Sequence, residues 1–118
     1  MDAEALMDAT QKLAMGLAES ECCRAYSAAR EDVHANPSLL EKLGEYKKKS
    51  AAYRMAAANG EPSSQETEMA LSELYWELML DNKARRFLES EKEAAALAAK
   101  LCEMIAAACP VDPIFPSR

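Results

Sequence analysis

The sequence predicts an all-α fold of about five helices in a bundle, followed by an extended, proline-rich tail. Composition is the first reason. Ala, Glu, Lys, Leu and Met are abundant, β-branched residues are scarce, and 118 residues include three Gly, a balance that favours helix over sheet. The second is periodicity: apolar residues recur at spacings of three and four along most of the chain. The third is punctuation, because Ser, Asn and Pro stand just ahead of these periodic runs, where helices begin.

The first helix is expected over about residues 2 to 18, with Leu6, Ala9, Leu13, Gly16 and Leu17 on one apolar stripe. Ser20 caps a restart, and Glu21 suits the positive end of the new helix dipole. Cys23, Tyr26, Ala29 and Val33 form the second stripe. Asn36-Pro37 marks the third helix, with Asn at the cap and Pro at the first helical position. That helix runs to about Asn59, with Leu40, Leu43, Tyr46 or Lys47, Ser50 and Tyr53 along one side.

Residues 59 to 64 (Asn-Gly-Glu-Pro-Ser-Ser) make the sharpest break, with Gly60 suited to a left-handed helix end. Ser64 caps the fourth helix, whose apolar face is Ala70 or Leu71, Leu74 and Leu78, flanked by Tyr75 and Met79. After Asp81-Asn82, the fifth helix carries Ala84, Phe87, Leu88, Ala95, Ala98, Leu101, Cys102, Ile105 and Ala108, close to a heptad recurrence. Pro110 ends it. Residues 1–109 are therefore expected to form one helical domain. Residues 110–118 are expected to be an extended, partly disordered tail, from which Ile114 and Phe115 could dock on a neighbouring groove.

A single domain of this size can bury about two-thirds of its unfolded surface. Here the apolar half of the sequence is mostly Ala and Met, with seven aromatic residues. Ala adds helix propensity and little buried area, so the core is thin and gains from pairing with a second chain. The net charge of −6 disfavours nucleic-acid and anionic-membrane binding. Lys47-Lys48-Lys49 and Arg54 diverge around a helix and read as a solvated face. No apolar stretch is long enough to span a bilayer. The acidic start, Met1-Asp2-Ala3-Glu4, does not resemble a secretory signal. The expected compartment is reducing cytosol, with the four cysteines as thiols.

No motif specifies catalysis. There is no phosphate loop, nucleophile elbow or zinc-protease motif. Acid pairs such as Glu66 with Glu68, or Glu91 with Glu93, diverge on a helix. His34, the one histidine, falls at a helix end where a cation suits the dipole. Cys102 and Cys109 lie about 10.5 Å apart along one helix, too far to share a tetrahedral metal or to bridge. Cys22 and Cys23 point about 100° apart. All four read as structural thiols, the alternative being an iron–sulfur or redox cofactor site of Cys22, Cys23, Cys102 and Cys109 assembled between helices or chains. Tyr75 and Trp76 either cover the edge of the core or anchor a chain–chain contact. Phe87, Leu101 and Ile105 are further interface candidates on the fifth helix. An enzyme site between subunits is the weakest reading, since no polar groups converge.

One ordered pattern remains: Ser20-x-x-Cys23-x-x-Tyr26-x-x-Ala29-x-x-x-Val33-x-x-Asn36-Pro37-x-Leu39, then Leu74-Tyr75-x-Glu77-Leu78-Met79 and Arg86-Phe87-Leu88-x-x-Glu91. It resembles the YlbF/YmcA, or control-of-competence regulator, family. The likeness spans roughly residues 5 to 108. Two positions depart from it, since the family often has an aromatic residue at Cys23 and a second Asn-Pro at Asn82-Lys83. The resemblance implies a commonly dimeric helical bundle in bacterial cytoplasm. It implies a non-enzymatic regulator of competence, biofilm formation and sporulation, acting with paralogues or a YaaT-like protein on messenger-RNA processing by RNase Y. Iron–sulfur and flavin cofactors are linked to some members.

Overall fold

The computed structural model describes residues 2–109. It contains five helices: α1 (Ala3–Glu19), α2 (Glu21–His34), α3 (Pro37–Ala58), α4 (Gln65–Leu80) and α5 (Asn82–Ala108). Each begins on a side chain that accepts a backbone N–H otherwise left without a partner. Asp2 takes Ala5, Ser20 takes Cys23, Asn36 takes Leu39, Ser64 takes Thr67, and Asp81 takes Lys83 and Ala84. Pro37 occupies the first turn of α3, and Gly60 follows that helix at φ 75°. The expected tail, residues 110–118, lies outside the described residues.

The helices fold back in two antiparallel pairs. In the α3–α4 hairpin, Lys42 bonds Glu77 at 2.8 Å, Tyr46 packs on Tyr75 at 5.9 Å, and Tyr53 donates to Glu68 at 3.0 Å. Rising numbers on one helix thus meet falling numbers on the other. α2 and α5 form the more extensive pair, with Tyr26 against Phe87 at 5.6 Å. The turns between pairs are short. A single cap residue, Asp81, separates α4 from α5, and Arg85 clamps that turn through the Met79 carbonyl and Asn82.

The core sits where the pairs meet. Ala29 and Val33 of α2, Leu39 and Leu43 of α3, Leu78 of α4, and Ala84 and Phe87 of α5 form its buried centre. Tyr26, Tyr46, Leu74 and Leu88 close over it. Ser90 is also buried, its hydroxyl donating to the Phe87 carbonyl at 3.2 Å. One expected stripe shifts. Leu39 rather than Leu40 enters the core, because Leu39 is in line with Leu43, Tyr46, Ser50 and Tyr53 at helical spacing. Leu40 lies about 100° round and is 38% exposed.

Away from this joint the molecule is open. It measures 54 × 37 × 17 Å with a radius of gyration of 18.5 Å, against about 13–14 Å for a compact domain of this length. Its surface is 9390 Å², where roughly 6300 Å² is usual for a monomer of this mass. No helix among the described residues is long and apolar enough to cross a membrane.

Ion pairs add little to this frame. Lys42 is exposed, and its ammonium is held above the ordinary lysine range by hydrogen bonding and attraction to Glu77. That raised pKa stabilises the fold below the lysine range, and the effect fades as pH rises through it. The core should dominate. Leu78→Ala and Leu39→Ala are each expected to lower stability by about 2–5 kcal/mol, and Leu40→Ala by under about 1 kcal/mol. Urea denaturation followed by circular dichroism at one fixed protein concentration measures all three.

Candidate interaction surface

α1 contributes no buried residue. Leu6, Leu13 and Leu17 share one side of it, as their spacing requires, but only Leu17 is half-buried. Leu6, Met7, Leu13 and Met15 are exposed. The same holds at the far end of α5. Its inward seam is buried at Phe87 and Ser90 and half-buried at Ala94, Leu97 and Leu101. α5 has 27 residues and α2 has 14, so α5 outruns its cover by almost 20 Å at about 1.5 Å per residue. Met104 and Ile105 continue the seam in the open, 61% and 58% exposed. Two amphipathic helices thus end as uncovered apolar surface, a feature of contact sites.

A cleft of about 500 Å³ separates α3 and α4 from α5. Tyr46, Ser50, Tyr75, Met79 and Leu88 line it together with Lys47, Arg54, Glu89, Glu91 and Lys92. Lys47 is engaged at its rim, bonded to Glu91 and 5.4 Å from the centre of the Phe87 ring, an arrangement that favours a cation. No histidine or cysteine lines this cleft. Its residues offer hydrogen bonds and charge, with no nucleophile paired to a base.

The cysteines do not converge within the chain. Cys22 and Cys23 are half-buried at the start of α2, with the Cys22 thiol 3.7 Å from the Ser20 hydroxyl. Cys102 and Cys109 are exposed on and after α5. All four are free thiols, and no three His, Cys, Asp or Glu side chains among the described residues are placed to hold a metal. His34 occupies the last turn of α2, beside a shallow hollow with Ser27, Arg30 and Glu31.

The aromatic candidates separate. Phe87 is 8% exposed and belongs to the core, packed on Tyr26 and under Lys47, so within this chain it is not a free contact residue. Its place on the α5 stripe was legible, but the covering helix was not. Tyr75 is half-buried between Tyr46 and Trp76, while Trp76 is 63% exposed and meets Tyr75 edge-on at 5.4 Å. Leu101 is half-buried. The exposed Met69 and Leu80 of α4 were missed as candidates. Their signal was a spacing of seven and four with Trp76, on the side of α4 opposite Leu71, Leu74 and Leu78.

Comparison with known proteins points one way. The sequence profile described as "Control of competence regulator ComK, YlbF/YmcA" matches residues 6–109. The UPF0342 protein STH1710 of Symbiobacterium thermophilum is 26% identical over 107 residues, covering 91% of this chain and 96% of that protein. A chain in the crystal structure of Bacillus subtilis RicA in complex with RicF superposes with a TM-score of 0.61 at 19% identity, over 94% of this chain and 100% of that one. That likeness establishes a shared helical fold.

Burial sets the expected mutational contrast. Phe87→Ala should cost about 3–5 kcal/mol of stability, whereas Trp76→Ala should stay within about 0.5 kcal/mol. Paired thermal and urea melts of the two variants check this.

Proposed function

The chain belongs to the YlbF/YmcA control of competence regulator family, and on that premise we propose that it is a non-enzymatic regulatory adaptor that works by docking other protein chains. The observation that carries this reading is the uncovered apolar surface of α1 and distal α5. Hydrophobic surface of this extent is costly in water at about 25 cal/mol per Å². A second helical chain laid against both helices would complete the seam as a bundle does. In the simplest case it is a second copy, giving a homodimer. The excess surface is more than the roughly 800 Å² per partner that a standard interface needs. The fold relative was crystallised in a complex of RicA with RicF, which supports a different protein chain, such as a family paralogue, as the alternative occupant.

In this role the protein contributes surface rather than chemistry. Regulation of competence, biofilm formation, sporulation and RNase Y-dependent messenger-RNA processing in bacterial cytoplasm is the setting that family membership suggests. A YaaT-like protein is one further partner within it. A cysteine-based iron–sulfur site would need Cys22, Cys23, Cys102 and Cys109 to be gathered across such an interface. Anaerobic purification with an absorbance scan and iron assay tests that second reading, and a colourless, iron-free protein rejects it.

Sedimentation equilibrium of the full chain at micromolar concentration should give about twice the 12.9 kDa monomer mass. The Leu13→Glu/Ile105→Glu double variant should remain helical and sediment as a monomer, because a charge at the centre of an apolar contact is strongly unfavourable. A wild-type chain that stays monomeric, alone and when mixed with its paralogue, would overturn the docking assignment.

A further inference from the structure

We propose that the outer face of α4 is a second docking surface, shaped for an amphipathic helix that carries Lys and Arg beside its apolar row. Met69, Trp76 and Leu80 stand in line on this face at a spacing of seven and four, over roughly 16 Å of helix. They are 55%, 63% and 84% exposed. None of them belongs to the α1 and distal α5 surface, so this inference does not depend on the adaptor reading. The anchor is supported on one side: Trp76 meets Tyr75 edge-on, and Tyr75 packs on Tyr46 of α3. A positioned indole loses little freedom on binding, and Trp is the side chain most enriched at energetic centres of contacts. A hollow of about 330 Å³ at one end of the row has Leu39, Leu78 and Leu80 on its walls and Lys42, Glu77 and Asp81 around them, so it offers an apolar floor with a charged rim.

Charge selects the occupant. α4 carries Glu66, Glu68, Glu73 and Glu77 and no Lys or Arg. By helical spacing Glu66, Glu73 and Glu77 fall along one flank of the apolar row. Glu77 is bonded to Lys42, and Glu68 accepts from Tyr53 and Ser63. Among the described residues neither Glu66 nor Glu73 enters an ion pair. An apolar strip edged by uncompensated carboxylates complements a helix with its own apolar strip edged by cations. A second copy does not supply that helix: α3 has the lysines but spends its apolar side on the core through Leu39 and Leu43, and the uncovered α1 and distal α5 carry Glu4, Asp8, Glu19, Glu93 and Glu103 against Lys12 and Lys100.

Trp76 is the one tryptophan of the chain and reports directly on its own face. The probe is a synthetic tryptophan-free peptide of about five helical turns, with Leu at three- and four-residue spacing and Lys and Arg flanking it. Titrated into the Leu13→Glu/Ile105→Glu variant, it should shift Trp76 emission to the blue, saturably and at micromolar concentration. Glu66→Lys/Glu73→Lys, or a peptide with its cations replaced by Glu, should weaken binding roughly tenfold or more. Calorimetry on Trp76→Ala, with circular dichroism to verify folding, should show a comparable loss. No emission shift, equal binding of the acidic peptide, or equal binding of a basic peptide with Ser in place of Leu would overturn the proposal. So would a blue shift produced by raising protein concentration alone, which would make a second copy the occupant.

Discussion

A helix pair can cover only one side of each of its members, and this constraint shapes the whole molecule. Where the α2–α5 and α3–α4 pairs cross, each supplies the other's missing cover, and the buried residues collect there. Val33 and Leu78 are enclosed from every direction at that crossing, and Ala29 and Ala84 let the backbones approach. Beyond it each helix keeps solvent on the side its partner does not reach. The 17 Å thickness, against roughly 10–12 Å for one helix with its side chains, leaves little depth for enclosed apolar side chains outside that crossing.

The same geometry explains why surface and core divide as they do on a single helix. Along α5 the sequence rhythm hardly changes from Phe87 to Ile105, yet the first is enclosed and the second is open. What changes is the neighbour. α2 begins at Glu21, and the part of α5 that projects past that point has no helix of comparable intimacy beside it. The division of this helix into core and surface thus follows from which lengths of a uniform stripe are left without a neighbour.

Much of this was legible in the sequence. Caps and breakers act locally, so Ser20, Asn36-Pro37, Gly60 and Ser64 located the helix ends almost to the residue. The expected stripe named Leu40 where the core takes Leu39, yet spacing alone separates them: Leu39 continues the line of Leu43, Tyr46, Ser50 and Tyr53, and Leu40 lies about 100° off it. Ser90 was not legible as a buried position, since its hydroxyl is satisfied by the helix's own Phe87 carbonyl and needs no partner written elsewhere in the sequence. Phe87 and Trp76 were both interface candidates, but helical spacing already separates them: Phe87 falls on the α5 stripe and lies under Lys47, whereas Trp76 lies opposite Leu71, Leu74 and Leu78 and faces outward.

α1 carries a thermodynamic corollary. Its 17 residues have no enclosed side chain, and a solitary helix of that length is only marginally formed in water even when rich in alanine. Its integrity then rests on limited packing against α2 near Leu17, on the Asp2 cap and on Ala3, Ala5, Ala9, Ala14 and Ala18. Any protein that grips α1 must supply whatever ordering free energy the helix lacks. Affinity is thereby tuned at positions that never touch the ligand: one solvent-facing alanine exchanged for glycine would weaken capture by about 1 kcal/mol through coil entropy alone.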